Sequence, residues 1–122
     1  MGQADRRILV TYGTESRTGK AAVVPEGTLR VVARIKAKPE KASELRVLLM
    51  GLLVPTRQES GCITYELLQN EEDPTEFNFV EEWQDGKALD AHFETDHIRN
   101  ALARLPELLA EDLDVRRYRL VG

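Results

Sequence analysis

The chain has 122 residues, which suffices for one domain with a hydrophobic core and is short for two. Its composition is ordinary for a globular protein, and its net charge of −4 with scattered basic residues argues against a nucleic-acid-binding protein, because phosphate contacts require clustered Lys and Arg. The single cysteine, Cys62, excludes an intramolecular disulfide and a cysteine-rich metal site.

Membrane insertion and export are not expected either. No apolar run approaches the length of about 18 residues that a membrane span needs. The apolar stretch near the N-terminus, Ile8 to Val10, is short and carries no small-residue cleavage pattern, so we predict no signal peptide. We therefore expect a cytoplasmic protein.

Residues 1–28 differ in composition from the rest and lack helical periodicity, so we interpret them as an N-terminal extension that is flexible or forms short edge strands. Ile8–Val10 and Val23–Val24 are the candidate strands. Within the extension, Gly13–Lys20 resembles a phosphate-binding P-loop. That motif has four residues between its glycines and Ser or Thr after its lysine, whereas this chain has five and then Ala21. We do not interpret it as a nucleotide site.

Regular elements begin at Leu29. Leu29–Lys36 alternates apolar with mostly charged residues, which predicts a strand. Pro39 is suited to the first turn of a helix, and an apolar stripe follows from Ala42 to Leu53. Pro55 is expected to kink or restart this helix, and Gly61 to end it as a left-handed residue.

Two more strands are predicted from Cys62 to Gln69 and from Glu76 to Trp83, joined by a polar turn. Their alternation predicts an inward face on each strand. The residues on these faces are Ile63, Tyr65 and Leu67 in the first strand and Phe77, Phe79, Glu81 and Trp83 in the second.

The remainder predicts two helices and a last strand. The first helix covers Lys87–Glu94, the second runs from an N-cap at Thr95 through Leu105, and the strand covers Leu113–Val121. Residues 29–122 thus form one α+β domain with the ferredoxin-like order β-α-β-β-α-β, an antiparallel sheet with helices on one face.

The other face of the predicted sheet is also apolar, since Val32, Leu68 and Val80 point there. An apolar sheet face requires a cover. We expect the sheet of a second subunit to provide it, which predicts a homodimer.

The strongest candidates for chemistry are Glu81, Trp83, His92 and His97. Glu81 and Trp83 share the inward strand face, and His92 shares a helix face with Phe93, so a carboxylate, an indole and an imidazole converge on one apolar space. A purely structural pairing of His92 with a buried Glu81 is the alternative. The five-residue separation of the histidines predicts different helix faces, so we expect no metal site.

Three strings resemble the signatures of the antibiotic biosynthesis monooxygenase family. They are Glu59–Glu66 (ESGCITYE), Phe79–Trp83 (FVEEW) and Ala91–His97 (AHFETDH). The resemblance covers Leu29 to Gly122 and keeps the order and spacing of the elements. The family includes small quinol monooxygenases, aromatic-polyketide oxygenases, haem-degrading enzymes and an isomerase of a phosphorylated signalling sugar.

The resemblance implies a dimeric α/β-barrel, with an apolar cavity between sheet and helices in each subunit, and oxygenase chemistry without metal, flavin or haem. In such chemistry a base deprotonates a phenol or quinol, and the anion reacts with O₂ in a site that excludes water. The resemblance makes His92 or His97 the base, with Glu81 orienting or charge-balancing the imidazole. The substrate-binding residues that it implies are Trp83, Phe93, Phe79 and Tyr65.

The other branches of the family imply alternative functions. The axial histidine of the haem-degrading branch would fall near Ala101–Leu102, where this chain has no ligand. The isomerase branch stays open, since it can use the same histidines with arginines such as Arg34. A non-catalytic, stress-related binding protein is the third alternative. The main hypothesis is a cofactor-independent monooxygenase acting on a quinol- or phenol-type aromatic substrate.

Overall fold

The computed structural model describes residues 7–10, 22–25 and 28–122. A single 3-10 turn, Pro39–Lys41, precedes the first helix. The strands and helices in chain order are β1 (Arg7–Val10), β2 (Ala22–Pro25), β3 (Leu29–Lys36), α1 (Ala42–Met50), α2 (Leu53–Arg57), β4 (Cys62–Gln69), β5 (Glu76–Trp83), α3 (Gly86–Phe93), α4 (Asp96–Leu108) and β6 (Asp114–Tyr118).

Strands β3 to β6 form one antiparallel sheet in the spatial order β4-β5-β3-β6. This order, with the helices on one face, confirms the predicted ferredoxin-like α+β fold. The central pair, β3 and β5, is in continuous register from Leu29 opposite Trp83 to Lys36 opposite Glu76. The register places the inward residues of both strands side by side. Four of them form the floor of the candidate site: Ala33, Ile35, Phe79 and Glu81.

The extension contributes a separate two-stranded antiparallel sheet, in which β1 pairs with β2. The two predicted short strands therefore exist, and in the described part of the chain they pair with each other. The P-loop-like stretch, residues 13–20, lies outside the described residues.

The core lies between the sheet and the helices. On β5, Phe77, Phe79, Glu81 and Trp83 are all buried and alternate with half-buried residues, as the sequence predicts. On β3 the buried residues are Val31, Ala33 and Ile35. Helices α1 and α4 cover them with Leu45 and Leu49, and with Ile98, Ala101, Leu105 and Leu108.

The start of strand β4 departs from the prediction. Ile63 was expected to share the inward face with Tyr65, but its side chain is 44% exposed. The register shifts between Cys62 and Thr64, which stand opposite consecutive residues of β5. An extra residue in one strand reverses the face of its neighbours. The irregularity therefore turns Ile63 outward and packs Cys62 against the core.

Pro55 restarts the helix, which is one of the two outcomes that the sequence predicts. Helix α1 ends at Met50, and α2 begins at Leu53 with Pro55 in its first turn, where the missing backbone N–H is not needed. The prediction for Gly61 was wrong, because its backbone is not left-handed. Glycine is required there by close packing, since a Cβ on Gly61 would lie 2.3 Å from the Cβ of Ala88 in α3.

Substituting Gly61 with alanine is expected to destabilise the protein by about 1–3 kcal/mol, the usual cost of overpacking a close contact. Because Ala88 belongs to α3, the helix must move away from the α2–β4 turn. Chemical denaturation of Gly61→Ala measures this loss, and Gly51→Ala is the matched control, since a Cβ there has no contact closer than 3.4 Å. Equal stabilities of the two variants would contradict the packing argument.

Helices α3 and α4 are separated by a short break that the sequence predicts. The Asp85 side chain accepts a hydrogen bond from the backbone N–H of Ala88 and caps α3. Thr95 caps α4 by accepting from the backbone N–H of Ile98. The chain therefore changes direction between the two histidines.

The outer face of the sheet carries an apolar centre with charged neighbours. Val32 and Val80 are directly opposite each other and half-buried, and Leu68 is 51% exposed. Arg30 pairs with Glu82 at 3.3 Å beside them.

Within the described residues, no helix has the length and hydropathy to cross a membrane.

Candidate active site

A cavity lies between the sheet and helices α3 and α4. Its walls are almost wholly apolar, and of the residues that the structure describes only Tyr65, Glu81 and His92 bring polar side chains to it. The centre of a water molecule can occupy about 50 Å³ of it, which is room for a few waters. Its lining residues are Ala33, Ile35, Leu49, Leu52, Tyr65, Phe79, Glu81, His92, Phe93, Ile98, Ala101, Leu102, Leu105, Leu113 and Val115.

His92 is the basic group of this cavity. It lies in the last turn of α3, and the residue is only 2% exposed. Burial lowers the pKa of His92, because the imidazolium loses hydration there, while the hydrogen bond to Glu59 and its charge act in the opposite direction. His92 is therefore biased toward the neutral imidazole, the form that can accept a proton.

The carboxylate that contacts His92 is Glu59, in the turn between α2 and β4. Its Oε2 lies 2.9 Å from His92 Nδ1 and 2.7 Å from His97 Nε2. The same oxygen thus joins both histidines, whose ring centroids are 6.3 Å apart. As a carboxylate, Glu59 can only accept, so each nitrogen donates its N–H in this state. Donation from Nδ1 leaves the lone pair of His92 on Nε2.

The sequence did not predict this triad of Glu59, His92 and His97. The five-residue spacing of the histidines predicts that they lie on different helix faces. In the structure α3 ends at Phe93, and the break before α4 lets both rings reach Glu59. In the sequence, Glu59 stands out only as the first residue of Glu59–Glu66, the string that resembles a family signature. Its contact with His92 depends on the close approach of the α2–β4 turn to α3.

One cluster of side chains in the described part of the chain brings potential metal ligands together. The donor atoms of Glu59, His92 and His97 lie within 4.8 Å of one another. A tetrahedral zinc ion, with bonds of about 2.0–2.1 Å, separates its donor atoms by about 3.3 Å. The two N···O separations here, 2.9 and 2.7 Å, are those of hydrogen bonds. We interpret the cluster as a hydrogen-bonded triad.

Glu81 is the second titratable group of the cavity, and it is 4% exposed. Burial raises its pKa to about 7, the negative charge of Glu59 adds to this, and a hydrogen bond from Trp83 opposes it. That bond, from Trp83 Nε1 to Glu81 Oε1, is 2.8 Å long. The sequence analysis predicts that Glu81 pairs with His92. The hydrogen bonds of the described residues instead pair Glu81 with Trp83 and His92 with Glu59.

The aromatic residues divide into two groups. Tyr65, Phe79 and Phe93 line the cavity, and Tyr65 stacks on Phe79 with ring centroids 4.5 Å apart. Trp83 has 0% exposure, and its ring centroid lies 4.7 Å from that of His92. It is absent from the cavity lining. Trp83 therefore contacts Glu81 and His92 without lining the cavity itself.

The arginine of the isomerase alternative and the haem-branch positions bring no polar side chain to the cavity. Arg34 is on the outer sheet face, where it pairs with Glu111 at 2.8 Å and Glu76 at 3.4 Å. No Arg or Lys lines the cavity among the described residues. Ala101 and Leu102, the haem-branch positions, are part of its apolar wall.

Comparison with known proteins gives consistent matches over this domain. The profile of the antibiotic biosynthesis monooxygenase family matches residues 28–104. A Synechocystis relative, the uncharacterized protein sll1783, is 34% identical over 74% of this chain, which spans only 61% of that protein. YcnE of Bacillus subtilis, whose name proposes a monooxygenase, is 36% identical over 72% of this chain and 93% of its own.

Solved structures agree with the sequence matches. Rv0793 of Mycobacterium tuberculosis superposes with a TM-score of 0.74 at 32% identity, covering 78% of this chain and 96% of the other. PA3566 of Pseudomonas aeruginosa gives a TM-score of 0.74 at 33% identity, covering 79% and 97%. Both superpositions support the fold described above.

Proposed function

Because this chain belongs to the antibiotic biosynthesis monooxygenase family, we propose that it is a small monooxygenase that oxidises a quinol- or phenol-type aromatic substrate with O₂, without metal, flavin or haem. The observation that carries the proposal is a buried imidazole, His92, held by a carboxylate at the wall of an apolar cavity. Such a base can ionise a phenol where water is scarce.

The proposed reaction begins with proton transfer from the phenolic O–H to Nε2 of His92. The resulting phenolate transfers electrons to O₂, and a C–O bond forms at a ring carbon that carries hydrogen, giving a hydroperoxide. Loss of that C–H proton and cleavage of the O–O bond produce a quinone carbonyl and water. One oxygen atom of O₂ enters the product, and the other leaves as water after protonation.

Glu81 is proposed to contact the substrate oxygen. With a pKa raised to about 7 by burial, it is partly protonated at neutral pH. The protonated carboxyl group can donate a hydrogen bond to the substrate, and the aromatic walls formed by Phe79, Phe93 and Tyr65 suit a flat ring. His92, Glu81 and these rings are the residues that we assign to the site.

Oxygen uptake tests the proposal directly. The full chain is incubated aerobically with quinols, anthrones and simple phenols, and consumption of O₂ is followed with an electrode, with and without a metal chelator. Chelator-insensitive uptake of one O₂ per quinone formed is the expected result. Isomerisation of a sugar phosphate without oxygen uptake would contradict it. The apolar lining, with Arg34 on the opposite face, disfavours that alternative.

We also propose that the protein is a cytoplasmic homodimer formed through the outer sheet face. Val32 and Val80 at the centre of this face would be buried by a second sheet. Light scattering during size-exclusion chromatography at low micromolar concentration is expected to give twice the mass of the chain. Val80→Lys should shift it toward the monomer, whereas Val54→Lys, at an exposed position of α2, should not. A wild-type monomer would contradict the proposed interface.

A further inference from the structure

Glu59, His92 and His97 form a continuous series from the cavity to the surface. His92 lines the cavity, and its side chain is 3% exposed. The side chain of Glu59 is 14% exposed and that of His97 is 25% exposed. The series therefore begins at the group that we assign as the base and ends at a ring in contact with solvent.

Each step of the series is a direct hydrogen bond. Oε2 of Glu59 is 2.9 Å from Nδ1 of His92 and 2.7 Å from Nε2 of His97. The outer end is held in place by Thr95, whose Oγ1 lies 3.3 Å from Nε2 of His97 and donates to the backbone carbonyl of His92 at 2.7 Å. Proton transfer requires heavy-atom separations of this length.

The cavity makes such a route useful. A proton taken from a phenol turns His92 into an imidazolium, whose charge is disfavoured by burial. The negative charge of Glu59 offsets this cost, and transfer of the proton to Glu59 removes the charge from the cavity wall. Among the described residues, the hydrogen bond of Glu81, the other carboxyl group of the lining, is with Trp83, whereas Glu59 is hydrogen-bonded directly to His92.

Building on the proposed function, we propose that Glu59 and His97 relay protons between His92 and solvent. After His92 accepts the substrate proton at Nε2, its Nδ1 proton moves to Oε2 of Glu59. Oε2 passes a proton to Nε2 of His97 when that ring is in the tautomer with a free Nε2, and the ring then releases its other proton to water. The reverse sequence returns a proton to the leaving oxygen. Glu59 and His97 are thus positioning residues that act through His92.

Turnover of the variants distinguishes a relay from a structural role. His97→Ala is expected to lower kcat at least about tenfold, less than the loss of the base itself, with little change in KM. Added imidazole, a small proton carrier, should restore kcat in a concentration-dependent way. Glu59→Gln interrupts the route next to His92, so imidazole should not restore it. Glu94→Gln, an exposed carboxylate beside the break, is the control and should match wild type.

A second measurement does not depend on oxygen. The full chain is mixed anaerobically with 4-nitrophenol, while phenolate absorbance and a pH-indicator dye are followed together by stopped flow. In wild type, proton release should keep pace with phenolate formation, and in His97→Ala it should lag. Phenolate formation without oxygen uptake in any assay would reject the monooxygenase and leave the relay standing. Equal release in both proteins, or a kcat loss in His97→Ala that imidazole does not restore, would overturn the relay. Failure to ionise any phenol would overturn both proposals.

Discussion

Replacement of His92 by glutamine is expected to lower turnover by about 10²–10⁴-fold, the usual contribution of a general base. The carboxamide can still donate a hydrogen bond to Glu59 but has no basic nitrogen. The loss should therefore appear in kcat, while the fold is kept. Oxygen uptake and thermal unfolding of the same preparations measure the two effects separately.

His92→Ala serves as the companion variant. It removes the hydrogen bond to Glu59 as well as the base, yet His97 still contacts the same oxygen. We therefore expect the same loss of turnover with a modest loss of stability, about 1 kcal/mol for a hydrogen bond that is partly replaced. A destabilised but fully active His92→Ala protein would end the assignment of His92 as the base, and His97 would become the candidate.

Much of the fold was predictable because local patterns and global packing agree. The alternation in Leu29–Lys36 and Glu76–Trp83 has a period of two, and both segments lie side by side at the centre of the sheet. The capping preference of Thr95 marked the start of α4 correctly. The bulge that exposes Ile63 was not predictable, because it depends on pairing with another strand.

The candidate site was predictable in its members and not in its contacts. Strand alternation predicts that Glu81 points inward, helical periodicity predicts the same of His92, and both line the cavity. Their partners differ from the prediction, since hydrogen bonds connect Glu81 to Trp83 and His92 to Glu59. Glu59 is 33 residues away from His92 in the chain, and neither helical nor strand periodicity reports on such a distance.

The pH dependence of stability provides the second prediction, because Glu81 is buried in the cavity wall. Its pKa in the folded protein is raised to about 7 from an ordinary value of 4.5, mainly by burial. The folded state therefore binds a proton more tightly than the unfolded state. The contribution of Glu81 to the free energy of unfolding is greatest below about pH 4.5. It falls as the pH rises to about 7, by a total of about 3 kcal/mol.

His92 acts in the opposite direction, because its lowered pKa makes the folded state release a proton more readily and adds stability as the pH rises. The wild-type curve alone would mix the two contributions. Comparison with Glu81→Gln separates them, since glutamine does not titrate and its carbonyl oxygen can still accept the hydrogen bond from Trp83.

We therefore expect Glu81→Gln to be more stable than wild type at pH 8 by up to about 3 kcal/mol, and the difference to shrink toward pH 5 as wild-type Glu81 becomes protonated. Urea denaturation of both proteins across this range gives the difference at each pH. Glu82→Gln is the matched control, since that residue is the adjacent carboxylate on the outer sheet face, where it pairs with Arg30. A pH-independent difference would mean that Glu81 is ionised throughout the range. The carboxyl group could then not donate a hydrogen bond to the substrate, and its proposed role in the site would be wrong.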